Sequence, residues 1–281
     1  MTDPDTTGGN TAEDWWSTAI IEMQPGMIRL RGYAIEDLIG RVSFPAMIWL
    51  MVRGDLPTDA QADLLGAALA AAVDHGPQAP SIAIARMAAT CGVGLNSAMA
   101  SAVNVLGDVH GGAGEQAAEL YAEALAGMDG GRTADAAAAA VLDRFAAAGG
   151  RHVPGFGHRF HPVDPRAPRL LALIDEAARR GEVDGRTATI ARAMEDGIAS
   201  RRGKRIPLNI DGATAAVYTE LGFPAPMCRG LFVLSRSVGI LAHAWEQMQR
   251  PERNKGPLPR DHVWTYSGPP ARALPPGAPG R

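Results

Sequence analysis

The chain has 281 residues, enough to bury a sizeable core as one large domain or two modest ones. With 46% hydrophobic and 20% charged residues it reads as globular rather than disordered, and a formal net charge of −3 lacks the basic excess of a dedicated nucleic-acid binder. Two distant cysteines, Cys91 and Cys228, with no CxxC pair, give no disulfide framework or thiolate zinc site, so a reducing cytoplasm is the expected compartment.

Along the chain, Met1 to Asp14 is polar and acidic with no positively charged start before an apolar stretch, and is not expected to be a secretory signal. Ala-rich stretches of high helix propensity follow at 59–73, 78–91, 95–106, 113–127, 133–148, 167–180, 187–200, 212–221 and 226–249. Alternating β-branched runs are nearly absent, so strands are expected to be few and short and the class all-α. The longest apolar run, Leu64 to Val73, is too short to span a bilayer. In 95–106 the residues Leu95, Met99, Ala102, Val103 and Leu106 follow the spacing of one buried helix face. In 226–249 Leu231, Leu234, Val238, Leu241, Trp245 and Met248 do the same, which leaves Arg236, His243 and Gln247 on the opposite face, toward solvent or a polar site. The tail from about Tyr266 is rich in Pro and Gly and reads as mobile or draped over a partner.

Several familiar sites are missing. GxGxxG and GxSxG do not occur, and Gly197 stands one residue too far from Gly203-Lys204 for a GxxxxGK loop. His158 and His161 form an HxxH, but the flanking Pro154, Gly155, Gly157 and Pro162 oppose a helix there, so no metal site is expected.

Chemistry-bearing residues gather instead in the joints between helices, where glycine lets a ligand approach the backbone. The joints are Asp74-His75-Gly76, His110-Gly111-Gly112, Gly157-His158-Arg159 with Asp164-Pro165-Arg166, and Asn209-Ile210-Asp211-Gly212. His110 lies between a helix ending near Gly107 and one beginning near Gly112. The positive end of the second helix would disfavour a charged imidazole, and a neutral one can donate to a carbonyl oxygen that becomes enolate-like; a plain turn histidine is the alternative. Asp211 opens a helix, so capping alone would account for it, whereas a dry cleft would make it a carbon-acid base. Arg166 can fork onto a substrate carboxylate or serve as an ordinary surface ion-pair residue. Taken together, His110, Asp211, a third imidazole at His158 and guanidinium groups at Arg166 and Arg236 suit making or breaking a carbon–carbon bond through the enol of an acid derivative.

These residues resemble the citrate synthase family, most closely its short citryl-CoA lyase members, from about Ile21 to Gln247. The carrying segments are Arg31-Gly32-Tyr33 with Gly54-Asp55-Leu56-Pro57-Thr58; Asp74-His75 with Pro80-Ser81 and Ala85-Arg86; and His110-Gly111-Gly112-Ala113 with Glu115. They continue with Gly155-Phe156-Gly157-His158-Arg159 to Asp164-Pro165-Arg166, then Asn209-Ile210-Asp211, and Ser235-Arg236 through Gly239, Ala242-His243 and Glu246-Gln247. The resemblance implies an almost all-helical homodimer, with a large domain of residues 1–111 and 225–281 and a small domain of 112–224 closing over a cleft. It implies that His75, Arg166 and Arg236, with His158, hold the oxaloacetate end of small-molecule substrates. His110 would polarise the thioester carbonyl of a CoA substrate, and Asp211 would exchange the methyl proton. Lys204 and Arg205, solvated surface by default, are candidates for CoA phosphates. No covalently bound cofactor, metal, nucleic acid or membrane is implied.

Three departures from the family pattern stand out. Only 16 residues separate Thr58 from His75, Gly76 follows His75 where Glu is usual, and Asn254-Lys255-Gly256-Pro257 stands where a C-terminal Arg-Pro carries the last carboxylate-binding arginine. Arg250-Pro251, Lys255 and Arg260 are the candidates to replace it. The expected activity is that of a citryl-CoA lyase. A minimal citrate or 2-methylcitrate synthase is the second reading, and a silent CoA- or dicarboxylate-binding regulator the third.

Overall fold

A computed structural model describes residues 16–259 and 261–275. The acidic start, Arg260 and the last six residues lie outside the described residues. Three short antiparallel strands come first: β1 (Ile21–Gln24), β2 (Met27–Leu30) and β3 (Tyr33–Ala34), in the order β1-β2-β3 with Ile21 opposite Leu30 and Arg29 opposite Ala34. Eleven helices follow among the described residues: α1 (Ile35–Leu38), α2 (Phe44–Arg53), α3 (Asp59–Ala71), α4 (Pro80–Thr90), α5 (Leu95–Val103), α6 (Ala113–Asp129), α7 (Ala134–Ala147), α8 (Arg166–Arg179), α9 (Arg186–Arg202), α10 (Ile210–Glu220) and α11 (Ala225–Met248). The mostly helical class read from composition is therefore the observed one. The hairpin and α1–α2 escaped the Ala-based reading because they are built from other residues, Met, Ile, Trp and Phe among them.

Local chemistry fixes the helix starts. The Thr58 side chain accepts from the Gln61 N–H while the Gln61 side chain accepts from the Thr58 N–H, a reciprocal cap that opens α3. Ser43 caps α2, and Gly54 ends it in the left-handed region at φ 98°, where a Cβ would be strained. Thr133 caps α7.

Helix α10 is the hub. Every residue from Gly212 to Tyr218 is buried, and the helix packs on α6, α8, α9 and α3. The polar residues at its start, Asn209 and Asp211, are only partly exposed. Helix α11 packs on α4, α5, α6 and α3. It is long and apolar enough to cross a membrane by length and composition, yet it carries buried Ser235, Arg236 and Gln247 against those neighbours.

That burial reverses the reading of α11 by period. Leu231 is fully buried, but Leu234, Val238, Leu241 and Trp245 are 50%, 57%, 42% and 56% exposed, whereas Arg236 and Gln247 are 3% and 2% exposed. The helix turns its polar stripe inward because Ser235 Oγ donates to Leu69 O and Arg236 Nε to Ala72 O, satisfying carbonyls at the end of α3. Period alone locates a stripe; it does not say which stripe faces the core.

Candidate active site

The loop carrying His158 and Asp164 is bonded to the first turn of α10. Asn209, not Asp211, caps this helix: its Oδ1 accepts from Asp211 N at 3.0 Å and Gly212 N at 3.2 Å. The capping role considered for Asp211 is thus filled by its neighbour, which leaves the Asp211 carboxyl free. Asn209 Nδ2 also donates to Gly157 O at 2.7 Å, Asn209 N to Gly155 O, and Gly157 N to Pro207 O. These rungs lash the His158 loop to the Asp211 helix. The approach requires glycine: a Cβ on Gly155, whose φ is +84°, would stand 2.7 Å from the Gly212 Cα.

Asp164 performs a second linkage that the sequence reading missed. Its carboxylate, 1% exposed, accepts from Arg166 N, Nε and Nη2 at 2.9–3.1 Å and from Ile210 N at 3.0 Å. One anion thereby fixes both the Arg166 guanidinium and the start of α10. Burial pushes the Asp164 carboxyl up, but the bonds from Arg166 and from the Ile210 amide outweigh it and hold it below the ordinary value. Asp164 takes the Nε–Nη2 edge of Arg166 and Nη1 donates to Ala71 O at 3.5 Å, so one N–H on each terminal nitrogen is left for another acceptor.

His110 lies in the 104–112 segment, since α5 ends at Val103 rather than near Gly107. Its Nε2 accepts from Ser81 N at 3.2 Å and stands 3.0 Å from Ser81 Oγ. A backbone amide can only donate, so Nε2 is bare and the ring proton sits on Nδ1. Burial first, and the Arg236 charge second, hold His110 below the usual histidine range. Burial and the Arg236 guanidinium favour the expected neutral imidazole, and α6 begins at Ala113, just beyond it. Arg229 ion-pairs with both Asp108 and Glu115 and so ties the two flanks of this segment to α11.

His158 is oriented by its own loop. Its Nδ1 accepts from Phe160 N and His161 N, both at 3.0 Å, which puts the proton on Nε2, a buried nitrogen with no partner among the described residues. Burial lowers its pKa, Asp164 opposes, and His161 and Arg166 add to the lowering. The ring lies 5.4 Å from His75 and 4.6 Å from His161, centroid to centroid. His75 is likewise lowered, by burial, then by Arg236, Arg166 and His158.

Asp211 and Arg236 complete the floor. Asp211 is partly exposed as a residue. Desolvation raises its pKa against the opposing charges of Arg236 and Arg166, with Asp164 adding to the rise. Arg236 is buried, lies over the Phe232 ring at 4.8 Å and donates to Ala72 O; among the described residues no carboxylate ion-pairs with it. Its charge acts on His75, His110 and Asp211 together. His75, His110, His158, Arg166, Asp211 and Arg236 are thus linked by the His75–His158 ring contact and by the charges of Arg236 and Arg166, and together carry two imidazole N–H donors, a desolvated carboxyl and guanidinium positive charge.

Lys204 and Arg205 are both exposed, and Arg205 pairs with Glu195 at 2.7 Å beside a cavity of about 340 Å³ lined by Ala167, Leu171 and Arg192. Arg250 is paired with Glu246, and Lys255 donates its backbone N–H to Thr90 Oγ1. Asp164 and Ser81 are the residues that reading from sequence overlooked. Each acts through a fold-specific contact, although both stood in segments already marked, Asp164 within Asp-Pro-Arg and Ser81 after Pro80.

Comparison with known proteins gives one direction. The pattern of the citrate synthase C-terminal domain matches residues 9–72 and 59–260. The chain is similar to the citrate synthase of Haloferax volcanii, 30% identical over 71% of this chain and 50% of that one. It spans about half the length of the citrate synthases it matches. Among solved structures, the citryl-CoA lyase of Hydrogenobacter thermophilus superposes with a TM-score of 0.81 and 32% identity, covering 93% of this chain and 98% of that one. A citrate synthase from Thermoplasma acidophilum, solved with carboxymethyl coenzyme A and oxaloacetate, gives 0.66 and 27% over 84% and 59%.

Proposed function

The chain belongs to the citrate synthase family, and from that premise we propose that it is a citryl-CoA lyase, cleaving citryl-CoA to acetyl-CoA and oxaloacetate. The observation that carries this reading is Arg236: a buried guanidinium with no carboxylate of its own among the described residues, beside a desolvated acid and two oriented imidazole N–H groups. An unpaired buried cation is costly, and a carboxylate-bearing substrate supplies the missing anion. The TM-score of 0.81 and 32% identity with the Hydrogenobacter citryl-CoA lyase, over nearly all of both chains, support the lyase reading.

In the cleavage direction, His75, Arg236 and the free N–H groups of Arg166 hold the carboxylates of the oxaloacetate half. The hydroxyl oxygen accepts from His158 Nε2–H, which lowers the cost of passing its proton to a water molecule and becoming an alkoxide. As the alkoxide closes to the ketone, the carbon–carbon bond breaks and its electron pair moves into the thioester, whose oxygen accepts from His110 Nδ1–H. Asp211, whose desolvated position favours the protonated form, then delivers a proton to the terminal carbon and regains one from solvent. The net change moves one proton from oxygen to carbon and leaves the thioester intact. No metal or covalent cofactor takes part in this scheme. The homodimer that the family resemblance implies would cover the exposed stripe Leu234, Val238, Leu241 and Trp245 of α11.

The test is a pair of assays: acetyl-CoA released from citryl-CoA, and free CoA released from acetyl-CoA with a panel of 2-oxo acids. Rapid cleavage with little free CoA is the expected result. Vigorous CoA release would favour a minimal citrate or 2-methylcitrate synthase, the reading that the names of the sequence relatives support.

A further inference from the structure

The stretch of α11 from Ser235 to Glu246 carries a motif that the proposed chemistry uses only at Arg236. Its inward face grips the segment leading to His75 at four successive points. Ser235 Oγ donates to Leu69 O at 2.6 Å, Arg236 Nε to Ala72 O at 3.2 Å, and Gly239 N to Val73 O at 3.1 Å. At the fourth point His243 Nε2 meets Asp74 Oδ1 at 3.2 Å. A Cβ on Gly239 would lie 2.9 Å from that same carboxylate oxygen, so the helix needs glycine there to come close enough.

The His243 ring is oriented from its far side. Arg86 Nη1 approaches Nδ1 at 3.0 Å and also donates to Glu246 Oε2 at 3.0 Å. A guanidinium only donates, so Nδ1 accepts and the ring proton is on Nε2, directed at Asp74. The other oxygen of Asp74 accepts from Gly76 N at 3.1 Å, closing a turn whose glycine has φ +77°. His75 sits inside that turn. Glu246, Arg86, His243 and Asp74 thus form a relay of hydrogen bonds that ends on the backbone carrying His75.

We propose that His243 is a positioning residue, donating through Nε2 to Asp74 so that the 74–76 turn aims the His75 imidazole toward His158. The proposal rests on the reading above only for the ligand that His75 meets, the oxaloacetate half of the substrate. It also assigns work to Arg86, His243 and Glu246, residues with no place in the reaction itself.

The experiment compares His243→Phe and His243→Gln with the parent chain. Glutamine carries its amide nitrogen about where imidazole Nε2 lies and can still donate to Asp74. His243→Phe is expected to weaken oxaloacetate binding roughly tenfold, the scale of one lost hydrogen bond to a charged group. Acetyl-CoA binding should stay within about twofold, the precision expected where no contact to that ligand is lost, and His243→Gln should recover most of the loss. A long-range proton–nitrogen spectrum supplies an independent readout: the His75 ring signals move in His243→Phe and return in His243→Gln. Equal loss of both ligands, failure of glutamine to rescue, or an unmoved His75 signal in folded His243→Phe would overturn the proposal. If His243→Phe does not fold, Asp74→Asn takes its place with the same two ligands. Should the parent chain bind no oxaloacetate, the functional reading falls, and the His75 signals alone still decide the positioning role.

Discussion

Replacing Asp211 by Asn separates the chemistry of that residue from its effect on stability. The amide is close in shape to the protonated acid but has no proton to give, so turnover should fall by about 10²–10⁴-fold. At 1.36 kcal/mol per decade that is about 2.7–5.4 kcal/mol of barrier. Stability should move the other way. Desolvation raises the Asp211 pKa above its ordinary 3.8, so between 3.8 and the raised value the folded chain keeps a proton that the unfolded chain has released. The parent loses stability as pH rises through that window and levels off above it. The Asp211→Asn variant has no such loss, although Arg236 and Arg166 offset part of it in the parent by favouring the ionised form. The melting temperature of the variant minus that of the parent should therefore be near zero at pH 4 and grow with pH. A slope of 1.36 kcal/mol per pH unit, with about 2–4 °C per kcal/mol for a chain of this size, sets an upper limit of about 3–5 °C per unit. Thermal melts of both proteins from pH 4 to 8, beside citryl-CoA cleavage rates, make the test. A gap that is flat or shrinks with pH, or a variant retaining most of its turnover, would refute the assignment of a dry carboxyl to Asp211.

Other perturbations follow from the same geometry. Asp164→Asn breaks a buried ion pair and leaves Arg166 unmatched, so it should cost about 3–5 kcal/mol of stability by denaturant titration and weaken oxaloacetate binding. Gly155→Ala meets the Gly212 backbone at φ +84° and should lower stability by about 1–3 kcal/mol, with activity falling because the His158 loop is pushed off α10. His110→Ala should cut cleavage by about 10²–10³-fold with little change in the affinity for oxaloacetate, as seen by steady-state kinetics with calorimetry. Because burial holds His75, His110 and His158 below the ordinary value of 6.5, all three are uncharged at neutral pH. A rate–pH profile should thus show no acid-side loss from these rings until the pH is below about 6.5, and a loss setting in above pH 7 on the acid side would contradict it.

Much of the fold is legible residue by residue. Ala-rich runs between glycines set nine of the helices to within a few positions, because propensity and end signals such as Thr58 with Gln61 act over one turn of chain. The joints holding His75, His110, His158 and Asp211 could be marked in the same way, since glycine and proline announce where a helix must stop. Distances across the chain settled the rest. Asn209 rather than Asp211 became the cap because its amide also reaches Gly157, 52 positions away in sequence. Arg236 went inward with its polar stripe because the carbonyls ending α3 needed donors, which the period of α11 could not reveal. His110 lost its charge to burial and to that same guanidinium. Residue types, spacing and helix starts are short-range properties written in the chain itself; orientation, protonation and the grouping of charges depend on neighbours that only the packed structure supplies.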